Sequence, residues 1–419
     1  MIETKFKHTD IGLVPEEWEV KTLEEVSSFP TESILTSNIK TSEYVGTDNM
    51  VSDRGGILPF DNTLPYIRVR HYVNNDILTS NIRPYLKKIW LSNREGGCSS
   101  DVLVIRPKTN IVMPNFLFTV ISSDNFFKYS NDNAKGTKMP RGDKHCILKY
   151  GIPIPPLSEQ RRIASALMKV DALISNLDKL IQKKQAIKKG AMQELLTGKK
   201  RLPGFEGEWK VIRLGDVADI KTGSSNVQDA DPSGSYPFFI RSEHVEKSNK
   251  YIFDSEAILI PGEGRIGEIF HYINGKFDCH QRVYAVSNFR WVNAVFVLFY
   301  MKYKFKEHAL SQTAKATVDS LRLPTIKSFE MYIPTDISEQ RAIAHVLSTM
   351  DSDISALETK RDKYRQIKQG MMRDLLTGRI RLVETSDMER KSYTVGLQNK
   401  PFDGAIAAEP SPQKGGTVG

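Results

Sequence analysis

Apolar residues recur in alternating steps of four and three at Ile163, Leu167, Val170, Ile174, Leu177 and Ile181. The same spacing returns at Ile343, Leu347, Met350, Ile354 and Leu357, and Tyr364 continues the stripe. This is the heptad seam of a coiled coil. It predicts two helices of roughly 38 residues, each about 55 Å long at 1.5 Å per residue. Ser158 and Ser338 each precede Glu-Gln, which suits an N-cap followed by acid in the first turn. Gly198 and Gly378 follow Leu-Leu-Thr as C-terminal caps. Helices far longer than the globular average need a partner of matching length, and each copy suits the other.

The two helical stretches are copies of one sequence. SEQRRIASALMKVDALISNLDKLIQKKQAIKKGAMQELLTGKKRL from Ser158 and SEQRAIAHVLSTMDSDISALETKRDKYRQIKQGMMRDLLTGRIRL from Ser338 agree at about half their positions. A short Pro203-Gly204 turn (KKRLPGF) leads from the first helix into the following globule, which favours antiparallel pairing across a pseudo-two-fold axis. The seam residues by themselves do not exclude a parallel pair, which would crowd both globules at one end.

The globules before each helix echo one another more faintly. Glu17-Trp18-x-Val20 with Leu23 and Val26 matches Glu208-Trp209-x-Val211 with Leu214 and Val217. Ala134-Lys135-x-Thr137 matches Ala314-Lys315-x-Thr317, and an aromatic, helical stretch from Phe116 matches one from Phe296. Short apolar runs broken by Gly, Pro, Asn and Asp read as strands, among them Leu64–Val69, Asp101–Ile105, Ala257–Ile260 and Val283–Val286. The expected fold class is α+β: two mixed α/β domains, residues 1–157 and 201–337, separated by two long helices, 158–200 and 338–382. Residues 383–419 lose apolar periodicity and read as a disordered tail.

Composition narrows the class. Apolar runs are too short to cross a membrane, and the N-terminus has no signal core. Three widely spaced cysteines fit a reducing cytoplasm rather than a disulfide framework. The net charge of +9 sits largely in the repeats, with 10 basic residues against 4 acidic in 158–200 and 9 against 6 in 338–382. Such a balance is compatible with DNA binding without locating it.

Catalytic constellations are missing. No Gly-x-x-x-x-Gly-Lys-Ser/Thr loop, Asn/Asp-Pro-Pro-Tyr/Phe tetrad or Phe-x-Gly-x-Gly loop is present. Asp101 with Lys108 fits a nuclease pattern only loosely, and His271, Cys279 and His280 match no standard zinc spacing. Gly262-Glu263-Gly264-Arg265-Ile266-Gly267 lacks the apolar helix that a dinucleotide site requires after it. Its glycines instead allow close backbone approach to a phosphate, with Arg265 reaching a phosphate or a guanine edge. The other candidate DNA contacts in the second globule are Arg241, Gln281, Arg282, Lys315 and Thr317. In the first they are Arg68 and Arg70, which share a strand face with Tyr66, and Lys135, Thr137, Lys138 and Arg141 in one loop. Against each stands the simpler reading of a solvated surface residue.

Pro-Pro-Leu-Ser-Glu-Gln-Arg at 155–161 and Ile-Ser-Glu-Gln-Arg at 337–341 open the helices, and Glu/Asp-Leu-Leu-Thr-Gly closes them. With the Glu-Trp-x-Val entries, this pattern resembles the specificity subunit of type I restriction–modification systems, over residues from about 14 to 382. The second helix departs at Thr335-Asp336, where the first has Pro155-Pro156. The resemblance implies two target-recognition domains that bind double-stranded DNA, joined by an antiparallel coiled coil. It also implies assembly with two methyltransferase (modification) subunits, and with restriction/translocase subunits for cleavage. The chain itself would be non-catalytic and without cofactor, S-adenosylmethionine, ATP and Mg2+ being used by the partners.

On this reading each globule reads one half of an asymmetric bipartite site. The helices set an unread gap of roughly 16 base pairs, from about 55 Å at 3.4 Å per pair. Two rival readings are a coiled-coil DNA-binding scaffold without a methyltransferase partner and a free-standing enzyme.

Overall fold

The computed structural model describes residues 4–64, 67–312 and 320–383. The described residues divide into two compact units, one formed by residues 4–164 with 374–383, the other lying within Ser165–Arg373.

In the second unit the predicted runs lie inside the strands Phe253–Pro261 and Val283–Ser287. They belong to a six-stranded sheet in the order Asp219–Thr222, Val283–Ser287, Phe253–Pro261, His271–Cys279, Tyr236–Phe239, Val245–Ser248. All neighbours run antiparallel except Tyr236–Phe239 beside His271–Cys279. The run Ala257-Ile258-Leu259-Ile260 is apolar throughout because both sheet faces are covered. Ile258 and Ile260 enter the core built on the Ala294–Ser311 helix, whereas Ala257 and Leu259 pack with Phe239, Phe277 and Val283.

The first unit holds two four-stranded sheets, with Arg68–Tyr72 between Ser33–Leu35 and Gly96–Cys98 in one, and Val102–Pro107 beside Ile77–Ser80 in the other. The predicted strand Leu64–Val69 is displaced toward the C-terminus and begins at Arg68. Pro65 lacks the N–H that a ladder needs. Two shorter helices, Pro114–Ile121 and Asp124–Asp132, stand where the second unit has one helix of 18 residues. Both units close the same way. Glu19–Thr22 pairs antiparallel with Gly151–Ile154, and Trp209–Arg213 pairs with Glu330–Pro334. Each Glu-Trp entry is thereby tied to the strand that leads into a long helix.

The long helices span Leu157–Leu195 and Ile337–Leu376. Each starts one residue before the predicted cap, so Ser158 and Ser338 lie in the first turn. Asp336 Oδ1 accepts from Ser338 N–H (2.8 Å), and the Pro156 carbonyl accepts from the Glu159 and Gln160 N–H groups (both 2.9 Å). The Asp336 carbonyl likewise accepts from Gln340 N–H (3.3 Å), so Asp336 in the place of Pro156 adds a carboxylate cap to the same backbone acceptor. Gly198 and Gly378 have φ of 70° and 69°, the left-handed conformation expected of C-terminal caps.

Within the second unit the helices pair antiparallel. Asp171 meets Lys368 (2.6 Å), Asp178 meets Arg365 (3.5 Å) and Arg361 (3.6 Å), and Lys184 meets Asp353 (3.1 Å). Lys188 pairs with Asp351. Of the predicted seam, Ile163, Leu167, Ile181, Ile343, Leu347 and Ile354 are buried. Val170, Ile174, Leu177, Met350, Leu357 and Tyr364 are half-buried, because a two-helix seam shields only one side of each residue. Leu195, Leu196, Ile343, Ala344 and Leu347 join the second unit's main core, which anchors that end of the pair. The predicted tail beyond Val383 lies outside the described residues.

Candidate nucleic-acid interface

The repeated signature builds two junctions of the same design. In the first unit Arg381 forks onto the buried Glu159 through Nε–Oε1 (2.8 Å) and Nη2–Oε2 (2.9 Å). Its guanidinium lies over the Trp18 ring, and Trp18 Nε1 donates to Glu159 Oε2 at 3.2 Å. In the second unit Arg201 forks onto the buried Glu339 at 2.5 and 2.7 Å and lies over Trp209. Gln160 and Gln340, both fully buried, accept the backbone N–H of Met113 and Asn293 at 2.8 Å and donate to Pro155 and Pro334 carbonyls. Ser-Glu-Gln-Arg therefore supplies a latch. Its Glu receives the arginine that follows the end of the other long helix, and its Gln ties the helix start to the domain. The sequence signal was available: Arg201 and Arg381, like Glu159 and Glu339, stand at matching places in the two copies.

The frame recurs at one end of each sheet. Gly142 N–H donates to the Asn81 carbonyl (2.8 Å) in the first unit, and Leu321 N–H donates to the Gly262 carbonyl (2.7 Å) in the second. Asn81 N–H donates to the Asp101 carbonyl, as Gly262 N–H does to the Arg282 carbonyl, both at 2.8 Å. The side chains placed on these matching ends differ.

In the second unit four predicted contacts converge there. Glu263 takes Arg241 Nη1 on Oε2 (2.7 Å) and Arg282 Nη1 on Oε1. Gln281 Nε2 donates to Asn226 Oδ1 at 2.6 Å. Arg265 bonds Glu243 (2.9 Å) and Glu268 (3.0 Å), and Lys306 also reaches Glu268 (2.5 Å). The Arg241 guanidinium, with Arg282 adding to it, holds the Glu263 carboxyl below the usual carboxylate range. Burial, with Arg241 and Arg282 nearby, pushes the His280 imidazole down, and its Nδ1 accepts from Arg282 N–H at 3.0 Å. The glycine-rich loop is followed by the strand His271–Cys279, not by a helix. Lys315 and Thr317 lie outside the described residues.

In the first unit Lys135 and Arg141 face each other across a two-stranded hairpin, with the exposed Thr137 and Lys138 at its turn. Lys135 pairs with Asp143 (2.6 Å) and Arg141 with Asp101 (2.7 Å). The Lys135 ammonium holds the Asp143 carboxyl below its usual range. Arg68 and Arg70 instead bond Ser33 Oγ (3.3 Å) and the Pro30 carbonyl (3.2 Å) along the neighbouring strand edge, and Tyr66 lies outside the described residues.

The enzyme-like patterns disperse. Asp101 is engaged by Arg141, while Lys108 Nζ donates to the Glu24 and Glu25 carbonyls. His271 Nε2 bonds the Ser242 carbonyl and His280 Nδ1 accepts from Arg282 N–H, and among the described residues no three His, Cys, Asp or Glu side chains are grouped to hold a metal. Burial pushes the Cys98 and Cys279 thiols up to about 12, out of the reactive range.

The chain is 25% identical over 423 residues to the putative type I restriction enzyme MjaX specificity subunit of Methanocaldococcus jannaschii, covering 91% of this chain and 97% of that one. A solved type I restriction–modification S subunit from M. genitalium shares its fold at a TM-score of 0.63 and 15% identity, covering 89% of this chain and 98% of the other. A chain from a structure described as the basis of complex assembly and conformational transition of the type I R-M system gives 0.51 at 22% identity, covering 88% and 99%. The family "Type I restriction modification DNA specificity domain" matches residues 15–189 and again 206–369. The chain therefore belongs to the type I restriction modification DNA specificity domain family and carries that domain twice.

Proposed function

We propose that this chain is the non-catalytic DNA-reading subunit of a type I restriction–modification complex, each domain recognising one half of an asymmetric two-part site. The observation that carries this reading is the matching sheet end, built on the same backbone contacts in both units and furnished with different charged side chains. One frame with two readers fits two different half-sites and an unread gap set by the long helices. Arginine, glutamine and lysine at these ends suit base edges and phosphates.

The helices also suit docking of methyltransferase subunits, which would supply S-adenosylmethionine chemistry, with restriction/translocase subunits supplying ATP- and Mg2+-dependent cleavage. Leu173, Leu180 and Ile187 form an exposed apolar stripe at heptad spacing on the first long helix, 46%, 40% and 48% exposed. An apolar stripe left open on a long helix is what a further helix would cover. Co-purification with a methyltransferase separates this reading from a scaffold without such a partner. Mapping methylated adenines by single-molecule sequencing tests it further. A two-part motif with a fixed gap is expected; a continuous or palindromic motif would overturn the reading. Turnover by the chain alone, given DNA with S-adenosylmethionine or ATP and magnesium, would point to the free-standing enzyme.

A further inference from the structure

The sheet end of the second unit holds three arginines among the candidates, and the way each is held distinguishes them. Arg265 spends two donors, Nε and Nη1, on Glu268 and Glu243. Arg241 and Arg282 each give a single Nη1 to Glu263, one to each carboxylate oxygen. Among the described residues their remaining guanidinium nitrogens have no protein partner, and both side chains stand about half exposed, at 45% and 57%. Glu263 is the most enclosed of the three at 25%, and the preceding residue, Gly262, is held from two sides by its backbone contacts to Arg282 and Leu321. Gly262 also permits that approach, since a Cβ there would lie 3.0 Å from the Arg282 carbonyl oxygen. Beside this trio Gln281 is steadied by Asn226.

The charge balance favours one kind of nucleic-acid contact over the other. A phosphate clamp gathers positive charge, and a carboxylate between two arginines opposes an incoming phosphate. A carboxylate shared by two guanidinium groups instead fixes their planes while leaving donors free, as bidentate recognition of guanine O6 and N7 requires. We propose that Arg241, Glu263 and Arg282 form the base-reading cluster of the second domain. Glu263 is its positioning residue, and Arg241 and Arg282 are the groups that contact guanine in the major groove. The inference rests on the chain reading a two-part site.

The test uses the assembled complex with its modification subunits and maps methylated sites genome-wide for the unaltered chain, Glu263→Gln, Arg241→Lys and Arg282→Lys. The lysine variants keep charge and fold but lose the fork. Each variant should relax one or two base positions, all in the same half-site, by roughly 5- to 150-fold in discrimination, with the other half-site and the gap unchanged. The slope of binding against salt should stay constant. An unchanged motif in both lysine variants would overturn the assignment. So would uniform weakening across all sequences with Arg241→Ala and Arg282→Ala each lowering the salt slope by about one, the signature of phosphate contacts. If Glu263→Gln fails to assemble, the lysine variants still decide. Failure of the two-part reading itself would show separately, as a one-part motif for the unaltered chain.

Discussion

The junctions and the sheet ends of the two units teach opposite lessons. At the junctions the same four residue types meet twice: Trp18, Glu159, Arg381 and Gly378 in one unit, Trp209, Glu339, Arg201 and Gly198 in the other. At the sheet ends the backbone contacts repeat, but Asp101–Arg141 in one stands where Glu263 with two arginines stands in the other. Burial explains the difference. Glu159 and Glu339 are 1% and 0% exposed, so losing the arginine on either strands a charge inside the protein, and losing Glu159 also strands the Trp18 ring donor. The sheet-end ion pairs face water, where an exchange of partners costs little, so side chains there are free to differ.

Substitutions can break this contrast, beginning with the largest effect. Arg201→Ala and Arg381→Ala should each destabilise the protein by about 3–5 kcal/mol in denaturant unfolding, since each leaves a buried carboxylate without its counter-ion. Leu347→Ala, in the core shared by helix and domain, should cost about 2–5 kcal/mol by the same measurement. The junctions themselves differ at one atom. Trp18 Nε1 donates to Glu159, whereas Trp209 Nε1 is buried without a partner. Trp18→Phe should therefore cost about 1.5–3 kcal/mol more than Trp209→Phe, a charged hydrogen bond being lost in one case and an unpaired donor removed in the other. Smallest of all, Arg141→Ala at the first sheet end should shift stability by no more than about 1 kcal/mol. On the proposed reading it still changes which DNA is methylated, in the half-site that Arg282→Lys leaves intact.

Much of this was legible in the chain. The heptads located both helices, and Gly198 and Gly378 marked their ends because only a left-handed turn ends the helix there. The antiparallel direction was also written in the charges. In the first helix Asp171 and Asp178 precede Lys184 and Lys188; in the second Asp351 and Asp353 precede Arg361, Arg365 and Lys368. Opposite charges meet only if the helices run in opposite directions, as they do. Glu263 was not legible as a functional group. Its role depends on loops near residues 241, 263 and 282 arriving together, which the order of strands in the sheet decides and local pattern does not. The capping serines failed for a simpler reason: Asp336 and Pro156 offer the first-turn N–H groups an acceptor nearer the start of the helix.

The central claim is that frame and reading are separable. Its most direct measurement inserts one heptad into each long helix, between Asp171 and Asp178 in the first and opposite it, between Arg361 and Lys368, in the second. The methylated motif of the assembled complex is then mapped. A longer gap flanked by the same two half-sites is expected. Altered half-sites, or an unaltered gap in a complex that still methylates, would contradict it.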